Sequence, residues 1–307
     1  MRWLSDAAVD HLREVADRPD LAHTPYELRE PIARGGMGTV YRARDRRLDR
    51  DVAIKVMNAP APAPAELDRM RNEARILARL EHPGILPVHD LGALPDGRLF
   101  YVMKLVRGRR LDEAIADEPL HARLRTFGRI CEAVAFAHAQ GVVHRDLKPE
   151  NVMVGPFGEV LVLDWGVARI LGDPARGETG TVVGTPGYMS PEQARGETAR
   201  VDERADVYAL GAVLRFLIVE PGGASGAPPA LEAIGAKALA ASPADRYTSV
   251  GELAAEVERF LAARPVQAYP EGPVERARRL AVKYRTPLLL VAAYLLMRVL
   301  LAFALRI

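Results

Sequence analysis

Val143-His144-Arg145-Asp146-Leu147-Lys148-Pro149-Glu150-Asn151-Val152-Met153, followed by Leu163-Asp164-Trp165-Gly166, is the stretch on which the fold turns. It gathers two aspartates, an amide and an ammonium between apolar, strand-like flanks. Hard oxygen donors beside a compact cation are the inventory for holding a divalent metal and a polyphosphate.

Upstream of this stretch the chain is rich in strand signals. Ile32-Ala-Arg-Gly35-Gly36-Met37-Gly38-Thr39-Val40-Tyr41 sets three glycines between strand-forming residues, where absent side chains let backbone N–H groups approach phosphate oxygens. A plain hairpin turn uses glycines equally well. A dinucleotide fingerprint is excluded, because strand formers rather than a helix follow the glycines. Val52-Ala53-Ile54-Lys55 comes next, and alternation puts Ala53 and Lys55 on one face. Glu66 to Leu80 reads as a helix with Leu67, Met70, Ala74, Leu77 and Leu80 on one side, and its Glu73 can supply the counter-charge to Lys55. Further strands are expected at Ile85 to Leu91 and at Leu99 to Val106, and beyond Gly108 the chain reads as mostly helical. A strand-rich part followed by a helix-rich part implies two lobes and a cleft.

Composition narrows the class. With 307 residues, 49% of them hydrophobic, the chain can bury a full-sized core, and disorder and collagen are excluded. The one cysteine, Cys131, sits in an apolar helical run, so it reads as a buried thiol in a reducing compartment. The balance of 42 Lys+Arg against 40 Asp+Glu hides an asymmetry. Residues 270–307 hold seven Arg/Lys and two Glu, leaving 35 basic against 38 acidic residues elsewhere. No broadly basic face is left for nucleic acid, which is not expected as a partner. Only five of the basic residues are lysines, and two of these, Lys55 and Lys148, stand in the motifs above, where a compact ammonium suits phosphate better than a planar guanidinium.

On the residues quoted, the sequence from about Tyr26 to Arg264 resembles the protein kinase family, in the form of the bacterial eukaryotic-like Ser/Thr kinases. The resemblance implies an α+β, bilobal protein-kinase fold with a β-rich N-lobe over 25–107 and an α-helical C-lobe over 108–264, shortened in its lower part. It implies ATP and Mg2+, or Mn2+, as cofactors, and Ser/Thr residues of proteins as acceptors. Asp146 then matches the carboxylate that orients the acceptor hydroxyl and receives its proton, and Lys148 the residue that steadies the γ-phosphate. Lys55 matches the lysine on the α- and β-phosphates, with Glu73 its helix partner, and Asn151 and Asp164 match the metal ligands. Ile32, Gly35, Gly36, Gly38 and Val40 belong to the loop over ATP. Met103 falls at the gatekeeper position, Lys104 and Val106 offer backbone to the adenine edge, and Val40, Ala53 and Met153 enclose its faces.

Thr179 and Thr181 are the autophosphorylation candidates, and Arg145 is the residue such a phosphate would meet. Thr185 matches the segment that receives a Ser/Thr acceptor. Asp206 is expected to brace the Asp146 loop, and Arg246 to pair with Glu192.

Four departures stand out: Ala33 for the first loop glycine, Trp165 for the usual Phe, Ser190 for the usual Ala, and only 40 residues between Asp206 and Arg246, with a Gly/Pro/Ala loop at Glu220 to Pro229. The alternative to an active kinase is a catalytically weak, nucleotide-binding scaffold. Retention of Lys55, Asp146, Asn151 and Asp164 argues against it.

At the ends, Leu4, Ala8, Leu12 and Val15 predict a helix within an N-terminal extension over 1–24, and no apolar core of signal-peptide length is present there. After a basic juxtamembrane linker over 265–286, an apolar run from Leu288 to Leu305 predicts a transmembrane helix over 287–307. At 1.5 Å per residue this run reaches about 27 Å, close to the ~30 Å hydrocarbon core. Arg298 interrupts it, at about +3 kcal/mol against roughly −5 from the apolar residues. The alternative is an amphipathic helix docked on the body or on a partner. The spanning reading expects a single-pass protein of the cell membrane with its kinase domain cytoplasmic, held so by the flanking arginines, and signals reaching it from the cytoplasm or the bilayer. Homodimerisation is a further expectation.

Overall fold

A computed structural model of the chain describes residues 19–36, 38–58, 62–115, 118–171, 184–219 and 227–304. The helix expected over residues 4–17 and both autophosphorylation candidates, Thr179 and Thr181, lie outside them, as does most of the Glu220 to Pro229 loop.

Five strands form one antiparallel sheet: β1 (Tyr26–Arg34), β2 (Gly38–Asp45), β3 (Arg50–Met57), β4 (Val88–Ala93) and β5 (Leu99–Lys104), in the order β1-β2-β3-β5-β4. The two-residue period of β3 decides what each face carries. Val52, Ile54 and Val56 pack with Leu21, Tyr26, Ala43, Phe100 and Val102 on one side. Ala53 and Met57 face the other way, into the larger core, together with Tyr101 and Met103 of β5 and with Met70, Ala74 and Leu77 of helix α1 (Pro64–Arg79). Lys55 shares that second face by the same alternation. Strand β4 begins at Val88 rather than at Ile85, because Pro87 has no N–H to donate to a ladder. Ile85 instead makes an isolated parallel bridge to Val162.

The chain then becomes helical around α3 (Leu120–Ala139), reached through β6 (Arg109–Arg110) and the single turn α2 (Leu111–Ala114). Leu124, Phe127, Ile130, Cys131 and Val134 line the buried face of α3. Burial pushes the Cys131 thiol far above its ordinary pKa, with the Glu132 charge adding to the effect, so the thiol stays protonated and inert. Short strands β7 (Val142–Val143), β8 (Val152–Val154), β9 (Val160–Val162) and β10 (Arg169–Ile170) carry the motif-bearing loops, with β10 pairing β7 and β6 pairing β8. Helices α4 (Pro191–Ala194), α5 (Glu203–Ile218), α6 (Pro229–Ala238) and α7 (Val250–Leu261) complete the body. A Cβ on Gly211 of α5 would stand 2.7 Å from the Ala238 Cβ, so α6 crosses α5 where a side chain is missing. One apolar cluster runs from Ala53 to Val266 and joins the sheet to the helices.

Glu192 and Arg246 meet as expected, through two parallel contacts of 2.7 and 2.8 Å, with both side chains buried. The guanidinium also donates to the carbonyls of Ala240, Arg204 and Ala241, so the buried cation is well supplied with acceptors. Ser190 is the buried N-cap of α4 and bonds Gln193, so the Ser in place of Ala does helix-capping work.

Helices α8 (Pro273–Lys283) and α9 (Arg285–Ala304) follow the body. Among the described residues no helix is long and apolar enough to cross a membrane, so the transmembrane helix expected over 287–307 is not found. Arg298 interrupts the apolar run, and residues 305–307 lie outside the described ones.

Arg246→Ala should lower stability by about 3–5 kcal/mol, because it leaves the Glu192 carboxylate buried and unpaired; urea unfolding monitored by circular dichroism measures it, and a loss under about 1 kcal/mol would contradict the geometry.

Candidate active site

The Asp146 loop follows β7 through a strained turn. Arg145 adopts a positive φ of 69°, which a side-chain-bearing residue holds only when its surroundings over-determine it. Asp206, at the start of α5, does so. Its Oδ1 accepts the Arg145 N–H at 2.9 Å, and its Oδ2 accepts the His144 N–H at 2.8 Å. His138 Nε2 lies 2.7 Å from the same Oδ2. Burial alone raises the Asp206 pKa, but the bond from His138, the His138 charge and the His144 N–H outweigh it, so the carboxyl sits below its usual range. The His144 ring is held as well. Its Nε2 donates to the Leu163 carbonyl at 3.0 Å, its Nδ1 accepts the Asp146 N–H at 3.3 Å, and its ring centre lies 4.5 Å from that of Trp165, the two rings tilted by 58°. Gln193 adds a bond to the Arg145 carbonyl, and the Arg145 Nε donates to the Val167 carbonyl.

Asp146 therefore projects from a fixed backbone into a cluster of donors. Its Oδ1 accepts the Thr185 hydroxyl at 2.8 Å, and its Oδ2 accepts Lys148 Nζ at 3.0 Å and Asn151 Nδ2 at 3.2 Å. Lys148 Nζ also donates to Thr185 Oγ1 at 2.6 Å, closing a triangle of carboxylate, ammonium and hydroxyl. Asn151 Nδ2 donates once more, to the Asp146 carbonyl at 2.8 Å. Both amide bonds use the nitrogen, so the Asn151 side-chain oxygen remains an acceptor.

A second group forms around Lys55. Its Nζ lies 2.7 and 2.9 Å from the two oxygens of Glu73, whose side chain is buried on α1. Tyr101, on β5, donates its hydroxyl to Glu73 Oε1 at 2.9 Å, and Lys55 Nζ stands 5.7 Å from the centre of the Tyr101 ring. Burial first, then the Glu73 charge, the bond to Glu73 and the Asp164 charge hold the Tyr101 phenol well above its ordinary pKa, so it is a permanent donor here.

Asp164 borders the same group. A Cβ built on Gly166 would lie 3.2 Å from Asp164 Oδ1 and 3.4 Å from Glu73 Oε2. Asp164 has a positive φ of 57° and accepts no hydrogen bond or ion pair among the described residues. A free carboxylate and a free amide oxygen, on Asp164 and Asn151, are hard donors of the kind magnesium takes. Among the described residues no group of three or more His, Cys, Asp or Glu could hold a metal alone. Magnesium fits this pair when phosphate and water oxygens complete its shell.

The glycines divide by role. A Cβ on Gly38 would fall 2.5 Å from the Val56 carbonyl oxygen, so Gly38 is demanded by the β2–β3 pairing itself; a Cβ on Gly36 would meet nothing within 4 Å. Asn58 ties the loop down, donating to the Gly35 carbonyl at 2.8 Å and accepting the Thr39 hydroxyl at 2.8 Å. Of the adenine-site residues, Val40, Ala53, Met103 and Val106 belong to one apolar cluster, with Ala53 and Met103 cross-strand partners. Met153 is half-buried on β8, Lys104 ends β5 with its N–H on the Pro87 carbonyl, and Ile32 is exposed on β1. Tyr101, Asn58 and Gln193 are the members that sequence reading missed. For Gln193 a signal existed in the Ser-x-x-Gln capping pattern at 190–193; for Tyr101, an apolar strand hides a hydroxyl whose partner is 28 positions away.

Residues 26–221 match the family described as the protein kinase domain. A serine/threonine-protein kinase PknB of Mycolicibacterium smegmatis is 40% identical over 267 residues, covering 76% of this chain and 42% of that protein. The PknB of Mycobacterium tuberculosis is 38% identical over 281 residues, 81% of this chain and 44% of the relative. The serine/threonine-protein kinase pkn3 of Myxococcus xanthus is 36% identical over 271 residues, 76% and 49% of the two chains. The chain thus spans less than half the length of these curated relatives.

Tyr101→Phe should cost about 1–3 kcal/mol of stability, since Glu73 loses a buried donor to a charged acceptor; equilibrium denaturation reads it, and an unchanged midpoint would remove Tyr101 from the cluster. The depressed Asp206 pKa predicts a pH effect. The stability it contributes is complete above the unfolded-state carboxyl pKa and is lost as pH falls through the lower folded-state value. Thermal denaturation between about pH 5 and about pH 3 should therefore fall less steeply in Asp206→Asn than in the parent.

Proposed function

The chain belongs to the protein kinase family, and from that premise we propose that it is a serine/threonine protein kinase that moves the γ-phosphoryl group of ATP to Ser and Thr hydroxyls of proteins. The observation that carries the reading is the Asp146–Lys148–Thr185 triangle beside the Lys55–Glu73 pair. An acceptor hydroxyl arriving at Asp146 replaces the Thr185 hydroxyl as donor, and the carboxylate takes up its proton. Lys148, already 3.0 Å from that carboxylate, then steadies the transferring group.

Lys55, aimed by Glu73 and Tyr101, is the cation for the α- and β-phosphates, and Gly35 and Gly36, which carry no side chains, let phosphate approach the loop backbone, with the Gly35 N–H itself held on the Gly38 carbonyl at 3.0 Å. Asn151 and Asp164 are the residues that would hold magnesium, which supplies charge neutralisation on the phosphate oxygens when bound. Val40, Ala53, Met103 and Met153 offer apolar surface to the base, with Ile32 at the rim and the backbone of Lys104 and Val106 at its edge. Little covalent help is needed for such a transfer, so alignment and charge neutralisation account for most of the rate. Thr179 and Thr181 are the proposed autophosphorylation sites. No observation favours the scaffold alternative.

Membrane attachment is a separate proposal. It rests on α9, where Leu289, Leu290, Val291, Tyr294, Leu295 and Leu296 are all exposed, and on the basic α8 before it. Such a surface calls for an apolar cover beside an anionic one.

In a radiolabelled magnesium-ATP assay with a Ser/Thr acceptor, Asp146→Asn should lower the rate about 10²- to 10⁴-fold, as expected for loss of a proton acceptor. Asp164→Ala should abolish transfer while leaving the circular dichroism spectrum unchanged. Transfer by either variant at the parent rate would defeat the reading. Phosphosite mapping after incubation with ATP should find Thr179 or Thr181.

A further inference from the structure

A cavity of about 610 Å³ opens between β6, the first half of α3 and the β8–β9 turn, outside the site described above. Ala114, Ile115, Ala122, Val154 and Pro156 make its floor, and its charge is one-sided. Among the described residues, Arg107, Arg109, Arg123, Arg125 and Arg129 line it against the one carboxylate of Glu118, an excess of four positive charges.

Little of this charge is neutralised. Arg123 is buried and spends its donors on the carbonyls of Glu118, Leu217 and Val219. Arg129 donates to the Gly158 carbonyl. Carbonyls satisfy hydrogen bonds but cancel no charge. Arg107 is exposed and reaches Asp51 only at 3.7 Å. Arg109 and Arg125, both exposed, have no hydrogen-bond or ion-pair partner among the described residues. A concave wall of one sign focuses its field on whatever enters, and guanidinium forks match carboxylates two bonds at a time. Next to the cavity, at the tip of the β8–β9 turn, Phe157 is 94% exposed. A large aromatic so placed is an anchor surface rather than core.

We propose that this cavity docks an acidic segment of a protein substrate, with carboxylates on Arg109 and Arg125 and an apolar side chain on Phe157. The word substrate rests on the kinase reading; the docking itself does not. The cavity's shape favours a chain segment over a flat bilayer. Its position suits substrate capture, because β6 pairs with β8, which begins at the residue after Asn151. A partner held there presents its acceptor hydroxyls at high effective concentration.

The test uses two fluorescent peptides with one shared Ser/Thr acceptor, one of them extended by a run of glutamates containing a leucine. Binding to the full chain is read by anisotropy and phosphate transfer by radiolabel. The extension should tighten binding about tenfold at low salt, with the gain shrinking as salt rises. Arg109→Glu combined with Arg125→Glu should erase the gain, and a lysine-extended peptide should gain on that variant instead, which also shows that the variant is folded. Phe157→Ser should lose part of the gain with both arginines intact. An equal gain in the parent and the double variant overturns the proposal. So does a double variant that loses affinity for phosphatidylserine vesicles while keeping its affinity for the acidic peptide. Retained charge-dependent binding without phosphate transfer would sink the kinase reading and leave the docking site standing; transfer to both peptides with equal affinities would sink the docking site alone.

Discussion

The carboxylate of Asp206 is the constraint on which the site depends. It is fully buried on α5, yet it is kept ionised by His138 and by the backbone N–H groups of His144 and Arg145. Those two N–H groups belong to a turn in which Arg145 is forced to positive φ. A buried charge without its donors is expensive, and a left-handed arginine without a restraint is strained. Each cost is offset by the other, so helix and loop hold one another in a single arrangement. Asp146 is the next residue, and its direction follows.

The Lys55 cluster works by a different economy. Lys55 reaches Glu73 because strand alternation turns it to the α1 face and because Glu73 lies on the buried side of that helix. Tyr101 then gives the carboxylate a second donor from the neighbouring strand. Three elements, β3, α1 and β5, are thus tied at one carboxylate, and Asp164 enters beside it through a residue, Gly166, that has no side chain to obstruct it. On the proposed reading, the cation for the phosphates and the carboxylate for the metal are set by one local packing problem.

Around the site, the lower helices and the groove of arginines are each held by their own packing and charge. Gly211 lets α6 close onto α5 directly, and the Glu192–Arg246 pair pins the α4 turn to the loop before α7. On the proposed reading, the arginine-lined cavity beside β8 is a surface with charge to offer a partner.

Much of this was legible in linear sequence. Period-two alternation in 52–57 determines that Lys55 faces with Ala53, helical spacing determines that Glu73 shares a side with Met70 and Leu77, and the residues from His144 to Gly166 are close enough along the chain for their chemistry to be read as one group. Local geometry suffices for such inferences because a strand or a helix orients its side chains by itself. Tertiary structure alone decided the rest. Tyr101 on Glu73, Asn58 on the glycine loop, Thr185 on Asp146 and the clash that reserves Gly38 for sheet pairing all join positions 18 to 39 residues apart. Such contacts are set by how whole elements pack, and no periodicity along the chain encodes them.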